Sequence, residues 1–329
     1  MSLPPTAAIS KPLDIVFMGT PEFARASLAA VLASRHRVLA VVSQPDRPKG
    51  RGQSLAKPPV AEFALAHGLP VLQPDKVGTR EFRDWVKSFA PDLGVVAAFG
   101  HLLGPRALAA PRLGCINVHA SLLPRWRGAS PITMAVLHGD ADAGVSIMRM
   151  DVGMDTGAVF AMRGTPVLST DTGETLHDKL AATGGALLVE QLDRIADGSA
   201  RETPQPEVGV TLAPLLMKDD ATIDWSLPAS AIERKIRAFH PWPGTRTTMG
   251  GKVLRLLPFA TVVASSSSAA PGTIIAAGRE GLVVQTGDGA LALGAVQLEG
   301  KKALAISAFL AGHPVVLGTV LGAGASLHA

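Results

Sequence analysis

At 329 residues, with 47% hydrophobic and 18% charged side chains, the chain has a globular composition and is long enough for two domains, each with its own core. No apolar run approaches bilayer-spanning length, and a single cysteine, Cys115, excludes an internal disulfide and a cysteine-built metal cluster, so a soluble protein of the reducing cytoplasm is expected. The net charge of +4 and pI near 9.4 admit an anionic partner without requiring one, and nine histidines with no His-Glu-x-x-His or similar spacing give a metal site no support.

Residues 1–13 carry prolines and one lysine but no apolar core of the kind a signal peptide needs, and are expected to form a disordered tail. Asp14 to Met18 reads as a buried strand, after which Gly19-Thr20-Pro21-Glu22 turns into a helix with Thr20 at the cap, Pro21 next and Glu22 against the dipole. Further strands are expected at Arg37 to Ser43, Pro70 to Leu72 and Leu93 to Phe99, with helices over Val60 to His67 and Arg80 to Phe89 between them. This alternation predicts an α/β fold with a doubly wound, mostly parallel, Rossmann-like sheet. Gly19 followed by Thr-Pro-Glu lacks the Gly-x-Gly-x-x-Gly that cradles a pyrophosphate, so no nicotinamide or flavin cofactor is expected. Pro45 to Lys57 holds four basic residues, Arg47, Lys49, Arg51 and Lys57, among helix and strand breakers. It is a surface loop, serving either as a solvated connection or as a basic finger for phosphates.

Cys115 to His119 alternates apolar and polar residues like a strand, so Asn117 and His119 project from one face. Ala120-Ser121 leaves the strand, and Leu122-Leu123-Pro124 cannot continue a ladder because proline lacks the donor and forces its predecessor to be extended. An amide that donates to a developing negative charge, beside an imidazole that moves a proton at neutral pH, suits acyl-type transfer; the spacing alone fits a satisfied polar pair as well. Gly144 to Met150 is a further strand, and the glycine-hinged loop Met150 to Gly157 carries Asp151 and Asp155. Ligand groups in such sheets collect beyond the carboxyl ends of the strands, so either aspartate could meet His119.

A helix over Thr175 to Asp197 leads into a polar, proline-containing stretch from Gly198 to Glu207. The resulting division is a first domain over 14–203, a linker over 204–214 and a second domain over 215–329. In the second, a helix at Ala229 to Phe239 precedes β runs near Thr245 to Met249, Val253 to Val263, Thr273 to Ala276, Leu282 to Gln285 and Ala290 to Val296. Gly250-Gly251 and Gly287-Asp288-Gly289 supply hairpin turns, and Ser265 to Ser268 is a low-complexity loop. Five short strands suggest a small barrel of the oligonucleotide-binding type. Ala231 to Arg255 holds six basic residues against one acid, Glu233, which suits nucleic acid or, equally, a solvated helix face.

The chain resembles the methionyl-tRNA formyltransferases, which share their catalytic domain with other 10-formyltetrahydrofolate-dependent transferases. The resembling segments span nearly the whole chain: Phe17 to Ala24 (FMGTPEFA), Gln44 to Gly52 (QPDRPKGRG), Gly114 to Ile132 (GCINVHASLLPRWRGASPI), Met150 to Gly157 (MDVGMDTG), Ile223 to Trp225 (IDW), Pro241 to Gly244 (PWPG) and Thr286 to Gly289 (TGDG). The resemblance implies formyl transfer from 10-formyltetrahydrofolate, without a metal, to the amino group of methionyl-initiator tRNA. Its Asn-His-Asp catalytic set falls on Asn117, His119 and Asp155, and its folate-contacting residues on Phe99, Gly100 and Ser121, Leu122, Leu123 and Pro124. Arg47, Lys49 and Arg51 of the basic loop, with Lys218, Arg234 and Arg237 of the second domain, are the expected tRNA contacts. The chain has no tyrosine, and Phe99 and Leu212 stand where relatives often carry one. A monomer is expected. A sugar-nucleotide formyltransferase with the same three residues, and a noncatalytic RNA-binding relative, are the alternative readings; the basic segments oppose the first and the intact Asn-His-Asp set the second.

Overall fold

Strand β1 (Asp14–Gly19) is sealed on both faces, with Ile15, Val16, Phe17 and Met18 all at 0% exposure. A strand apolar on both sides requires helices on both sides of its sheet. The computed structural model describes residues 11–49, 54–278 and 281–322. Of the expected tail, 1–10 lie outside these residues; Leu13 is buried and its amide donates to His36 Nδ1 at 3.1 Å, so the ordered chain begins before β1.

The elements that follow are α1 (Glu22–Leu32), β2 (Arg37–Val42), β3 (Arg47–Lys49), β4 (Ser54–Ala56), α2 (Pro59–Ala66), β5 (Val71–Leu72), α3 (Arg80–Ser88) and β6 (Leu93–Ala97). Next come α4 (Pro105–Leu108), β7 (Cys115–His119), β8 (Arg127–Gly128), α5 (Pro131–His138), β9 (Asp142–Arg149), β10 (Val159–Pro166) and α6 (Gly173–Ala196). Seven strands form one sheet in the order β10-β9-β7-β6-β1-β2-β5. β1 runs parallel to β2 and β6, β6 parallel to β7 and β2 parallel to β5, while β9 runs antiparallel to β7. This is the expected doubly wound, mostly parallel α/β sheet.

Two local expectations are corrected. Pro21, not Thr20, caps α1, and the Thr20 hydroxyl donates instead to the Phe99 carbonyl at 3.0 Å. The basic stretch is not an irregular loop throughout: β3 and β4 pair as an antiparallel ribbon from Arg47↔Ala56 to Lys49↔Ser54. Pro48 is tolerated there because a two-stranded ribbon has an unpaired side that needs no donor. Arg51 falls in 50–53, outside the described residues.

Contacts divide the chain into two units. The first holds residues up to Gly128 with Ala143–Thr165 and His177–Leu212, and the second Ala129–Asp142, Pro166–Leu176 and everything from Ala213. After β11 (Leu212–Ala213) the second unit contains α7 (Ala229–Ala238), β12 (Thr245–Met249), β13 (Lys252–Leu257), β14 (Thr261–Val263), β15 (Ile274–Gly278), β16 (Gly281–Gln285), β17 (Ala290–Leu293), β18 (Ala295–Leu298), β19 (Leu304–Ala305) and α8 (Ile306–Gly312). They form two four-stranded antiparallel sheets, β12-β13-β18-β19 and β14-β17-β16-β15.

The runs Val253 to Val263 and Ala290 to Val296, expected as single strands, each break in two. β13 and β14 part at Pro258-Phe259, where Phe259 has φ +73°, and β17 and β18 part at Gly294. The breaks face each other, since a Cβ on Gly294 would stand 2.4 Å from the Phe259 carbonyl oxygen. Two neighbouring strands therefore turn this corner together and pass from one sheet to the other. Trp225, Ile232, Ile236, Leu254, Leu291 and Phe309 fill the space between.

Arg237, read from sequence as a phosphate contact, is instead buried at 7% exposure. Its Nε and Nη2 bind the Glu233 carboxylate at 2.5 and 3.0 Å, and Nη1 donates to the Asp171 carbonyl at 2.8 Å. Arg234 is half-buried, with Nε donating to the Leu137 carbonyl of α5 at 3.1 Å. Both cations hold the second unit together. Removing the guanidinium in Arg237→Ala leaves the Glu233 carboxylate and a carbonyl without their donors, and urea unfolding is expected to lose about 3 kcal/mol or more.

Candidate active site

Helix α6 packs on one face of the sheet beside Val118 and Val145; a Cβ on Gly184 would lie 3.1 Å from Val118 and 3.4 Å from Val145. Alternation then turns Asn117 and His119 to the opposite face, together with their register partners Met148 and Ser146 on β9. The expectation that both point one way is met. His119, at 5% exposure, is more enclosed than a strand end open to solvent.

The loop after β9 brings Asp155 to the pair. Its Oδ1 accepts from Asn117 Nδ2 at 3.3 Å, its Oδ2 accepts from the Gly128 amide at 2.9 Å, and His119 Nδ1 lies 3.5 Å from the same Oδ2. Asp151 is used otherwise: its Oδ1 accepts from the Gly153 amide at 3.0 Å and the Thr156 hydroxyl at 2.7 Å, so it closes the loop on itself. The loop bends tightly, and a Cβ on Gly157 would sit 2.0 Å from the Arg149 carbonyl oxygen.

His119 Nε2 lies 2.9 Å from the Trp126 carbonyl, which can only accept, so Nε2 carries the ring hydrogen and Nδ1 is the position that gains or loses a proton. That carbonyl is held in place in turn. Trp126 is buried with φ +62°, and its amide donates to the Thr211 hydroxyl at 2.8 Å. Asn117 spends one amide hydrogen on Asp155, and its second N–H is able to donate to an oxygen placed on this face. The site thus offers a neutral donor and a proton carrier on one face. Cys115, two residues before Asn117, is no nucleophile, because burial pushes its thiol up to about 12.

The turn at Ser121 to Pro124 is internally braced. Ser121 Oγ donates to the Arg125 carbonyl at 2.5 Å, and Ser146 Oγ donates to the Ser121 carbonyl at 2.6 Å while accepting from the Leu123 amide at 3.1 Å. Ser121 therefore spends its hydroxyl hydrogen inside the protein. Leu122 packs over Gly144, and Leu123 lines an apolar cavity with Val159, Phe160, Met162, Pro204 and Pro206. Phe99 is buried, and its carbonyl accepts from Thr20 and, at 3.0 Å, from Gln44 Nε2. Gly100 has φ +78°, and a Cβ there would lie 2.3 Å from that Gln44 nitrogen. Gln44 also accepts from Arg47 at 2.9 Å, so the root of the basic ribbon is tied to the Phe99 turn. Lys218 is exposed at the start of a 3-10 turn. Among the described residues no three His, Cys, Asp or Glu side chains are grouped to hold a metal ion, and no helix is long and apolar enough to cross a membrane.

Trp126, Gly128, Ser146, Thr211 and Gln205 were not legible as site residues. Trp126 and Gly128 act through backbone groups, and Gln205 stands between prolines in a stretch that reads as linker.

Residues 13–192 match the Formyl transferase family and residues 215–314 the Formyl transferase C-terminal domain, so the chain belongs to the formyl transferase family. Among its relatives, the methionyl-tRNA formyltransferase of Myxococcus xanthus is 48% identical over 305 residues, 93% of this chain and 96% of that one. The methionyl-tRNA formyltransferase of Pseudomonas fluorescens is 46% identical over 316 residues, covering 95% and 99%. Solved structures share the fold at lower identity. HypX from Aquifex aeolicus, in complex with tetrahydrofolic acid, is 17% identical with a TM-score of 0.61; the match covers 91% of this chain but only 47% of HypX. The N-formyltransferase from Helicobacter canadensis, in complex with folinic acid and dTDP-3-aminofucose, is 16% identical with a TM-score of 0.62, covering 89% and 100%.

Asn117→Ala and His119→Ala are each expected to lower kcat by about a hundredfold to a thousandfold with little change in thermal midpoint, since neither side chain is part of the apolar core. Asp155→Asn puts an amide nitrogen against either the Gly128 N–H or the Asn117 amide. It is expected to depress kcat and shift the pH optimum, and an unchanged pH–rate profile would remove Asp155 from the set.

Proposed function

We propose that the chain transfers the formyl group of 10-formyltetrahydrofolate to the amino group of methionyl-initiator tRNA, giving N-formylmethionyl-tRNA. The observation that carries this reading is the meeting of Asn117, His119 and Asp155 at the carboxyl end of β7, in a chain that matches methionyl-tRNA formyltransferases over more than nine-tenths of its length. The folate supplies an activated formyl group.

The free side-chain N–H of Asn117 donates to the formyl oxygen as negative charge develops on it. His119 Nδ1, facing Asp155, takes the proton that the attacking amine must lose as its nitrogen bonds to the formyl carbon. It returns that proton to the folate nitrogen as the old carbon–nitrogen bond breaks. Asp155 balances the imidazolium between these two transfers. Phe99, Gly100 and the braced Ser121 to Pro124 turn lie beside this face and are the proposed folate contacts.

For the tRNA we propose Arg47, Lys49 and Arg51 of the basic stretch Pro45 to Lys57, with Lys218 of the second unit. Arg47 and Lys218 are exposed, which supports the assignment. Arg234 and Arg237 are left out because their guanidinium groups are engaged within the second unit.

With formyl donor present, methionyl-tRNA is expected to be formylated while free methionine and dTDP-amino sugars are not. Transfer to an amino sugar in preference to methionyl-tRNA would overturn the reading. Apparent tRNA affinity should fall with salt, each phosphate contact adding about −0.7 to −0.9 to the log–log slope. Arg47→Ala and Arg51→Ala should each raise KM for tRNA and reduce that slope by about one contact, with KM for the formyl donor unchanged.

A further inference from the structure

Asp155 sits in the left-handed region at φ +55°, a conformation that a non-glycine residue keeps only when its surroundings impose it. Its carboxylate is fully engaged by the Asn117 amide, the Gly128 amide and His119, so the hold on its backbone must come from elsewhere. It comes from Gln205. One side-chain nitrogen, Nε2, donates to the Asp155 carbonyl at 2.8 Å and to the Gly157 carbonyl at 2.8 Å. The oxygen of the same amide accepts from Arg127 Nε at 3.0 Å and Nη2 at 2.7 Å.

The arrangement has one orientation. Arginine only donates and carbonyls only accept, so the Gln205 oxygen must face Arg127 and its NH2 must face the loop. Arg127 precedes Gly128, whose amide binds the Asp155 carboxylate, and its own amide donates to the Thr211 carbonyl at 2.9 Å. Gln205 thus ties the loop that carries Asp155 to the strand that binds the Asp155 carboxylate. We propose that Gln205 is a positioning residue: through these bonds it fixes Asp155, and through Asp155 the proton-carrying Nδ1 of His119.

This inference rests on the formyl-transfer reading for its kinetic consequence, and its physical content can be read without it. Gln205→Glu keeps size and the Arg127 contact but turns a double donor into an acceptor facing two carbonyls, whereas Gln205→Ala removes the link. Misplacing a reacting group by about an ångström costs on the order of a hundredfold, so both variants should lose ten- to a hundredfold in kcat. KM for methionyl-tRNA and for the formyl donor should stay within about twofold. In the double variants with Asp155→Asn the losses should not multiply, because Gln205 acts through Asp155. Hydrogen–deuterium exchange on the full-length chain should quicken at 150–157 in either variant and remain at parental rates in β1 and β6.

Unchanged kcat in both variants, multiplicative losses in the double variants, or parental exchange at 150–157 would each overturn the proposal. A parent protein that formylates nothing would sink the formyl-transfer reading and leave the exchange experiment to decide whether Gln205 holds the loop.

Discussion

The site depends on the carboxylate of Asp155. Two of its partners are fixed donors, the side-chain amide of Asn117 and the backbone amide of Gly128, and the third is Nδ1 of His119, the ring nitrogen not committed to the Trp126 carbonyl. The fixed donors hold the anion against the imidazole's Nδ1, in surroundings where bulk water screens the contact little. Asn117 and His119 of β7 and the Gly128 amide in the segment beyond it converge on that carboxylate, while Gln205 holds the backbone behind it through the Asp155 and Gly157 carbonyls. The doubly wound sheet serves by pairing β9 antiparallel to β7, so the loop after β9 starts beside Cys115 at the amino end of β7 and returns Asp155 to the face of Asn117 and His119, with α6 closing the other face.

What sequence reveals here follows the range of each interaction. Continuous apolar runs such as Ile15 to Met18 and Leu93 to Val96 announced central strands, because a strand buried on both faces has no polar position to spare. The common face of Asn117 and His119 followed from the two-residue period alone. Asp155 could not be separated from Asp151 by spacing; it is told apart by contacts 38 residues away, to Asn117, while Asp151 finds its partners within its own loop. Gln205 was invisible for the same reason, since its partners lie 48, 50 and 78 residues off.

Arg237 was misread despite a local clue. Glu233 stands four residues before it on α7, and a pair at that spacing can satisfy itself on the helix face, leaving the cation unavailable to an outside ligand. In the second unit the failure was one of continuity. Val253 to Val263 carries an unbroken strand-like pattern except at Pro258-Phe259, and Ala290 to Val296 except at Gly294; the partner that makes these two breaks coincide is more than thirty residues distant in each case.

The bond from His119 to the Trp126 carbonyl settles more than the orientation of a ring. With Nε2 permanently hydrogen-bearing, the imidazole cannot work as a two-ended relay that accepts on one nitrogen and releases from the other. That leaves Nδ1, beside Asp155, as the one ring nitrogen open to exchange in the proposed reaction. In the proposed formyl transfer, the ring would hold a single proton, taken up and given back at Nδ1, with the Trp126 carbonyl closing its other end.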